Sequence, residues 1–102
     1  MGFNQVSLAY QHHEQLAAAM ISLLRRHGDS YDADLAQDLL DHDGPGMAVE
    51  TCCESIMEQG INPASITPLF TLLREEDDVF REESQEFHEY LQNRSTEIVP
   101  LD

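Results

Sequence analysis

The sequence predicts an all-α fold, a compact bundle of about five short-to-medium helices built as one domain over residues 1–102. Three observations predict it. Gly28, Gly44, Gly46 and Gly60 punctuate the chain at helix-length intervals. Between them, apolar residues return at three- and four-residue spacings, the period of a helix with one buried face. Strand-type alternation is scarce, and β-branched residues are few in the central segments. A chain of 102 residues can build one core and not two. With 41 % hydrophobic residues, 7 % aromatic and no Trp, that core is expected to be mostly aliphatic.

The first helix is expected from Val6 or Gln11 to Arg26. Leu16, Met20, Leu23 and His27 recur along one face, with Ala17, Ile21 and Leu24 beside them. Arg25 and Arg26 fall in the last turn, where the helix dipole favours cations, and Gly28 suits the position that closes it. Asp29 or Ser30 is placed to cap a second helix, from about Tyr31 to Leu40, whose inner face reads Leu35, Ala36, Leu39 and Leu40. The third spans Pro45 to Gln59. Pro45 fits its first turn because the missing N–H would have had no helical partner there. Val49, Cys52, Cys53, Ile56 and Met57 make its apolar stripe, and Gly60 ends it. After the Ile61-Asn62-Pro63 bend, Ser65 is the expected cap of a fourth helix that turns Ile66, Leu69, Phe70, Leu72 and Leu73 inward. A fifth is expected from Asp77 or Asp78 to about Asn93, with Phe80, Ser84, Phe87 and Leu91 on its core side. The tail from Ser95 to Asp102, with its Ile-Val-Pro-Leu stretch, reads as extended or packed on the bundle.

The residues that could carry chemistry each have a plainer explanation. Cys52 and Cys53 are neighbours, so on a helix their side chains diverge by about 100° and a disulfide between them is strained. A metal site calls for a spaced pair with further Cys or His, and a reactive thiol calls for positive surroundings, whereas Glu50 and Glu54 flank this pair. Both cysteines are expected in the core. His12 and His13 are adjacent rather than a turn apart, so they do not form the zinc pattern of two imidazoles on one helical face. No nucleophile elbow, phosphate-binding loop, dinucleotide fingerprint or calcium loop occurs. The expectation is a non-enzyme with no cofactor and no metal. No charged-then-apolar signal opens the chain, and no apolar run approaches the roughly 20 residues of a membrane span. A cytoplasmic, reducing location is expected.

The acids carry the functional signal. The chain holds 20 Asp and Glu against 5 basic residues, all Arg, for a formal net charge of -15. Such a charge repels nucleic acid and anionic lipid and attracts cationic proteins. Asp34, Asp38 and Asp41 recur at helical spacing, as do Glu50, Glu54 and Glu58, and again Glu82, Glu86 and Glu89 with Asp78 before them. Each like-charge pair one turn apart costs about 0.2–0.5 kcal/mol in an isolated helix, so several together use a noticeable share of a marginal stability. Stripes that cost stability point to a partner that covers them.

The stretch DLLDHDGPGMAVETCCESIMEQGI followed by NPASITPLFTLL resembles the MafI-type immunity proteins, a group similar to the small helical immunity proteins of contact-dependent growth-inhibition systems. Pro45, Gly46, Ala48, Val49 and Glu50 match the shared turn-and-helix pattern, as does Glu58 before Ile61. At the turn the family more often has Gly-Glu before the Pro, where this chain has Asp43-Gly44. The resemblance covers roughly the middle half of the chain. It implies a cytoplasmic antidote that binds the C-terminal domain of a cognate bacterial toxin. Nucleases are common targets of such proteins, and a basic nuclease agrees with the acidic charge. The expected contact residues are Asp34, Asp38 and Asp41 on the second helix and Asp78, Glu82, Glu86 and Glu89 on the last, with Glu50 left between a structural and a binding role. The alternative is an acidic adaptor or nucleic-acid mimic that sequesters a basic host protein.

Overall fold

The computed structural model describes the backbone of residues 2–98 and the side chains of residues 10–94. Among the described residues six helices follow one another: α1 (Gly2–His27), α2 (Ser30–His42), α3 (Pro45–Gln59), α4 (Thr67–Glu76), α5 (Asp78–Glu83) and α6 (Gln85–Ile98). No strand occurs among the described residues, so the fold is all-α. The first helix begins earlier than its apolar pattern, and the last continues past Asn93 to Ile98. Residues 99–102 lie outside the described residues, as do the side chains of the tail from 95 onward.

The joints follow local chemistry. At the end of α1 the Asp29 N–H bonds to the Leu24 carbonyl (2.9 Å) and the Gly28 N–H to that of Arg25 (3.1 Å). This closure needs a left-handed residue, and Gly28 supplies it at φ 98°. The end of α3 repeats the device, with Ile61 N–H on the Ile56 carbonyl at 3.0 Å and Gly60 at φ 66°. Asp29, not Ser30, caps α2: its carboxylate accepts the Asp32 N–H at 3.0 Å. The expected cap of α4 is corrected. That helix starts at Thr67 after Ile66, without a side-chain cap. A turn through residues 64–66 precedes it, in which the Pro63 carbonyl accepts from Ile66 N (3.0 Å), Thr67 N (3.1 Å) and the Thr67 hydroxyl (2.9 Å). Because that carbonyl takes all three donors, Ser65 is left to receive a long contact from Arg26 at 3.4 Å.

Helices α1, α2 and α3 pack on one another, α4 lies against α1, and α6 against α3. Leu16, Met20 and Leu24 of α1, Cys52 and Ile56 of α3, and Phe70 and Leu73 of α4 are wholly buried in one core cluster. Three inward assignments change. Leu72 is 40 % exposed, because α4 turns Phe70 and Leu73 to the core. Leu35 is 44 % exposed, because α2 turns Ala33 and Ala36 to the core and half-buries Leu39 and Leu40. Small residues at its contact line let α2 approach α1 and α3 closely. His27 also faces out, in the last turn of α1. The Ser55 hydroxyl donates to Asp32 (2.9 Å), which ties α3 to α2.

In the C-terminal half, a chain of aromatic rings joins the aliphatic core residues. His13 meets Phe80 edge-on (5.3 Å), Phe80 meets Phe70 (5.5 Å), Phe70 meets Phe87 (5.0 Å), and Phe87 stacks on Tyr90 (5.8 Å). These separations suit edge-to-face and offset ring attraction. The chain of contacts runs from α1 through α5 and α4 to α6. Tyr90 then donates its hydroxyl to the Ile61 carbonyl at 2.9 Å, and Arg94 donates to that of Gly60 at 3.1 Å, anchoring α6 beyond the end of α3.

The fifth helix of the sequence reading is two helices, divided at Ser84. Two contacts meet at the joint, one from another helix and one local. Arg74 of α4 donates to the Arg81 carbonyl (2.9 Å), to the Ser84 hydroxyl (3.2 Å) and to the Gln85 side chain (3.4 Å). The Ser84 hydroxyl in turn donates to the Phe80 carbonyl at 2.6 Å, a local bond that bends helices. Phe80, Ser84, Phe87 and Leu91 are nonetheless all buried, as their spacing predicts.

Candidate partner-binding surface

Asp34, Asp38, Asp41, Asp78, Glu82, Glu86 and Glu89 are all exposed. The fold keeps them in two groups. Asp34, Asp38 and Asp41 stand on α2, which packs on α1 and α3. Asp78 and Glu82 stand on α5, and Glu86 and Glu89 on α6, so the division at Ser84 splits what the spacing presents as one stripe. Several are partly relieved. Arg25 donates to Asp34 (2.8 Å), His42 lies 3.1 Å from the Asp38 carboxylate, Gln37 donates to Asp41 (2.9 Å) and Arg81 to Asp78 (2.6 Å). Gln85 reaches Glu89 at 3.3 Å. Such exposed pairs contribute little stability. His42 also donates to the Asp38 carbonyl (2.9 Å), and that bond, followed by the Asp38 charge, raises its pKa above the usual imidazole value.

The cations are spent on structure. Arg25 serves Asp34. Arg26 serves Ser22 and Ser65, and Arg74 holds the α5–α6 joint. Arg81 pairs with Asp78, and Arg94 binds Gly60 and lies over the Tyr90 ring. Among the described residues no ion pair reaches Glu50, Glu54, Glu58, Glu82, Glu83 or Glu86.

A groove of about 330 Å³ opens between α3 and the α5–α6 joint. Val49, Cys53 and Met57 from α3 and Phe80 and Phe87 from the other side give it an apolar floor. Glu50 and Glu54 line it on α3, one turn apart, and Glu83 and Glu86 line it across from them. His13 and Asp77 also line it; His13 Nε2 lies 3.6 Å from an Asp77 oxygen, while the other oxygen of Asp77 caps α5 through Val79 N (3.0 Å) and Phe80 N (3.1 Å). Of the acids chosen from the sequence, only Glu86 lines this groove. Glu50, left ambiguous there, belongs to it, and so do Glu54, Glu83 and Val79. A signal for Val79 was available: in EEDDVFREES the two apolar residues are adjacent, so when Phe80 turns to the core Val79 faces outward, and it is 63 % exposed.

Cys52 and Cys53 are free thiols and both buried. Burial, with the charges of Asp32 and Asp29 adding to it, pushes the Cys52 thiol up to about 12. Burial, then the neighbouring Cys52, Glu50 and Glu54, pushes Cys53 higher still. Both therefore stay protonated at neutral pH, as poor nucleophiles. Among the described residues no group of three His, Cys, Asp or Glu side chains is arranged to hold a metal ion, and no helix is long and apolar enough to cross a membrane.

The fold and surface together define a small all-α bundle with acidic faces and one acid-rimmed apolar groove. No family model, curated protein or solved structure matches the chain.

Proposed function

We propose that this chain is an immunity protein: a cytoplasmic antidote that binds the C-terminal domain of a cognate bacterial toxin, a basic nuclease, and silences it by charge-steered occlusion, with no catalysis of its own. One observation carries the reading. Every Arg is engaged within the fold, while the chain has a formal net charge of -15 and none of the described Asp and Glu side chains is buried. Self-repulsion of this size lowers stability unless something cationic covers it, and it raises the rate at which a cationic partner arrives. A nuclease must hold phosphates in a basic cleft, which makes its active surface the natural complement. Asp34, Asp38 and Asp41 on one side, and Asp78, Glu82, Glu86 and Glu89 on the other, are the proposed contacts.

Growth rescue tests the proposal. The chain is co-expressed with the toxin domain encoded immediately upstream of its gene. Restored growth, lost when the chain is omitted, is the expected result. Persistent killing in cells that hold the folded chain overturns it, and capture of several unrelated DNA-binding proteins would instead mark a nucleic-acid mimic.

A further inference from the structure

Resting on the immunity reading above, we infer that the groove between α3 and the α5–α6 joint receives one element of the partner: a short helix presenting a large apolar side chain, with Arg residues about one turn away on either side.

The shape and charge of the groove select this occupant. The floor is apolar, and Met57 and Cys53 give it soft, adaptable atoms. The volume, about 330 Å³, admits one or two large side chains, whereas a helix about 10–12 Å across cannot sink into it. A helix laid over the mouth with one side chain inserted fits the space. The lips then choose its charge. Glu50 and Glu54 face Glu83 and Glu86 across the opening, none with an ion pair among the described residues, and the five Arg of the chain are committed elsewhere. A second copy of this chain would set acid against acid. A nucleic acid would be repelled, and a neutral apolar helix would leave four carboxylates desolvated without compensation. Arg suits the lips better than Lys because its planar fork can bridge two carboxylates. An apolar centre within a charged rim is also the usual anatomy of a strong protein contact.

Gly46 provides a clean way to close the groove. It lines the opening within α3, and a Cβ built there meets nothing within 4 Å. Arg is a better helix former than Gly, so Gly46→Arg keeps the fold while placing a bulky cation at the mouth. Glu54→Arg reverses one lip at an exposed site. Glu75→Arg makes the same charge change at an exposed site on α4, away from the groove.

The probe is an amphipathic helical peptide of Leu and Arg about 15 residues long, with its Arg-to-Glu counterpart as control. Titrated into the isotopically labelled full chain, the Arg peptide is expected to shift the amides of Val49, Cys53, Met57, Val79 and Phe87. Gly46→Arg and Glu54→Arg are each expected to weaken binding at least about tenfold, and Glu75→Arg by less than about threefold. Shifts centred on α2 or spread evenly, equal binding of the Glu peptide, or equal weakening by Glu75→Arg would overturn the assignment. The rescue assay separates this from the parent reading. If the native chain rescues growth and both groove variants rescue equally well, the groove is not the site and the immunity reading stands. If the native chain fails to rescue but the Arg peptide maps to the groove, the immunity reading falls and the groove remains a site for cationic helices.

Discussion

Asp29 joins three parts of the chain with one carboxylate. It follows the glycine that closes α1, accepts the Asp32 N–H at the start of α2, and accepts the side-chain amide of Gln59 at the end of α3. The Asp32 N–H, with the Gln59 bond helping against partial burial, holds its carboxyl below the usual Asp range. A carboxylate with a lowered folded pKa contributes stability that is fully present above its unfolded value, about 4, and is lost as pH falls through the folded value. Asp29→Ala should therefore cost about 1 kcal/mol in urea unfolding at pH 7, and the gap between variant and native protein should narrow as the pH is lowered below the ordinary Asp range. A gap that persists unchanged at low pH would assign the loss to something other than the charged cap. The cap was legible in the sequence to within one residue, because Asp and Ser are both good caps and only backbone geometry chooses between neighbours. The core position of both cysteines was legible too, since each continues an apolar stripe. Leu35 was not: its place was inferred from hydrophobicity alone, while Ala33 and Ala36 take the contact face.

Helices α4, α5 and α6 depend on one another through Arg74 and the Phe70 cluster. Arg74 donates to the Arg81 carbonyl, and Arg81 returns a long bond to the Arg74 carbonyl at 3.5 Å, so the two strap the α4–α5 corner. Arg74→Met keeps the apolar stem but leaves the Arg81 carbonyl and the Ser84 hydroxyl short of a donor. It is expected to cost about 1–3 kcal/mol and to speed hydrogen exchange in α5 more than in α2. Uniform acceleration across both helices would contradict the local role of the strap. This joint also marks the limit of the sequence reading. The burial of Phe80, Ser84, Phe87 and Leu91 followed from their spacing, whereas the break among them joins the local Ser84 bond to a side chain from another helix, which no local pattern reports. The low aromatic content suggested a mostly aliphatic core, and the core is so; the few rings present are gathered where the C-terminal helices meet. The groove was hidden for the same reason, since its two lips lie more than twenty residues apart in the chain and only packing brings Glu50 and Glu54 opposite Glu83 and Glu86.

At the scale of the molecule, shape and charge act together. The Cα positions span 50 × 29 × 18 Å, so along its short axis the body is only about two packed helices thick and most helices keep a face to solvent. Those faces carry the acid excess, while the basic side chains hold the joints. The proposed immunity function depends on this division, because the surplus field would act on a toxin before contact is made. The association rate of the purified chain with a candidate toxin domain, followed by stopped-flow as salt is raised, tests that claim most directly. The account predicts a rate near 10⁸ M⁻¹s⁻¹ at low salt, falling steeply towards about 10⁵–10⁶ M⁻¹s⁻¹ as salt screens the charges. A rate that stays the same at low and high salt would show that the acidic surface does not guide the encounter.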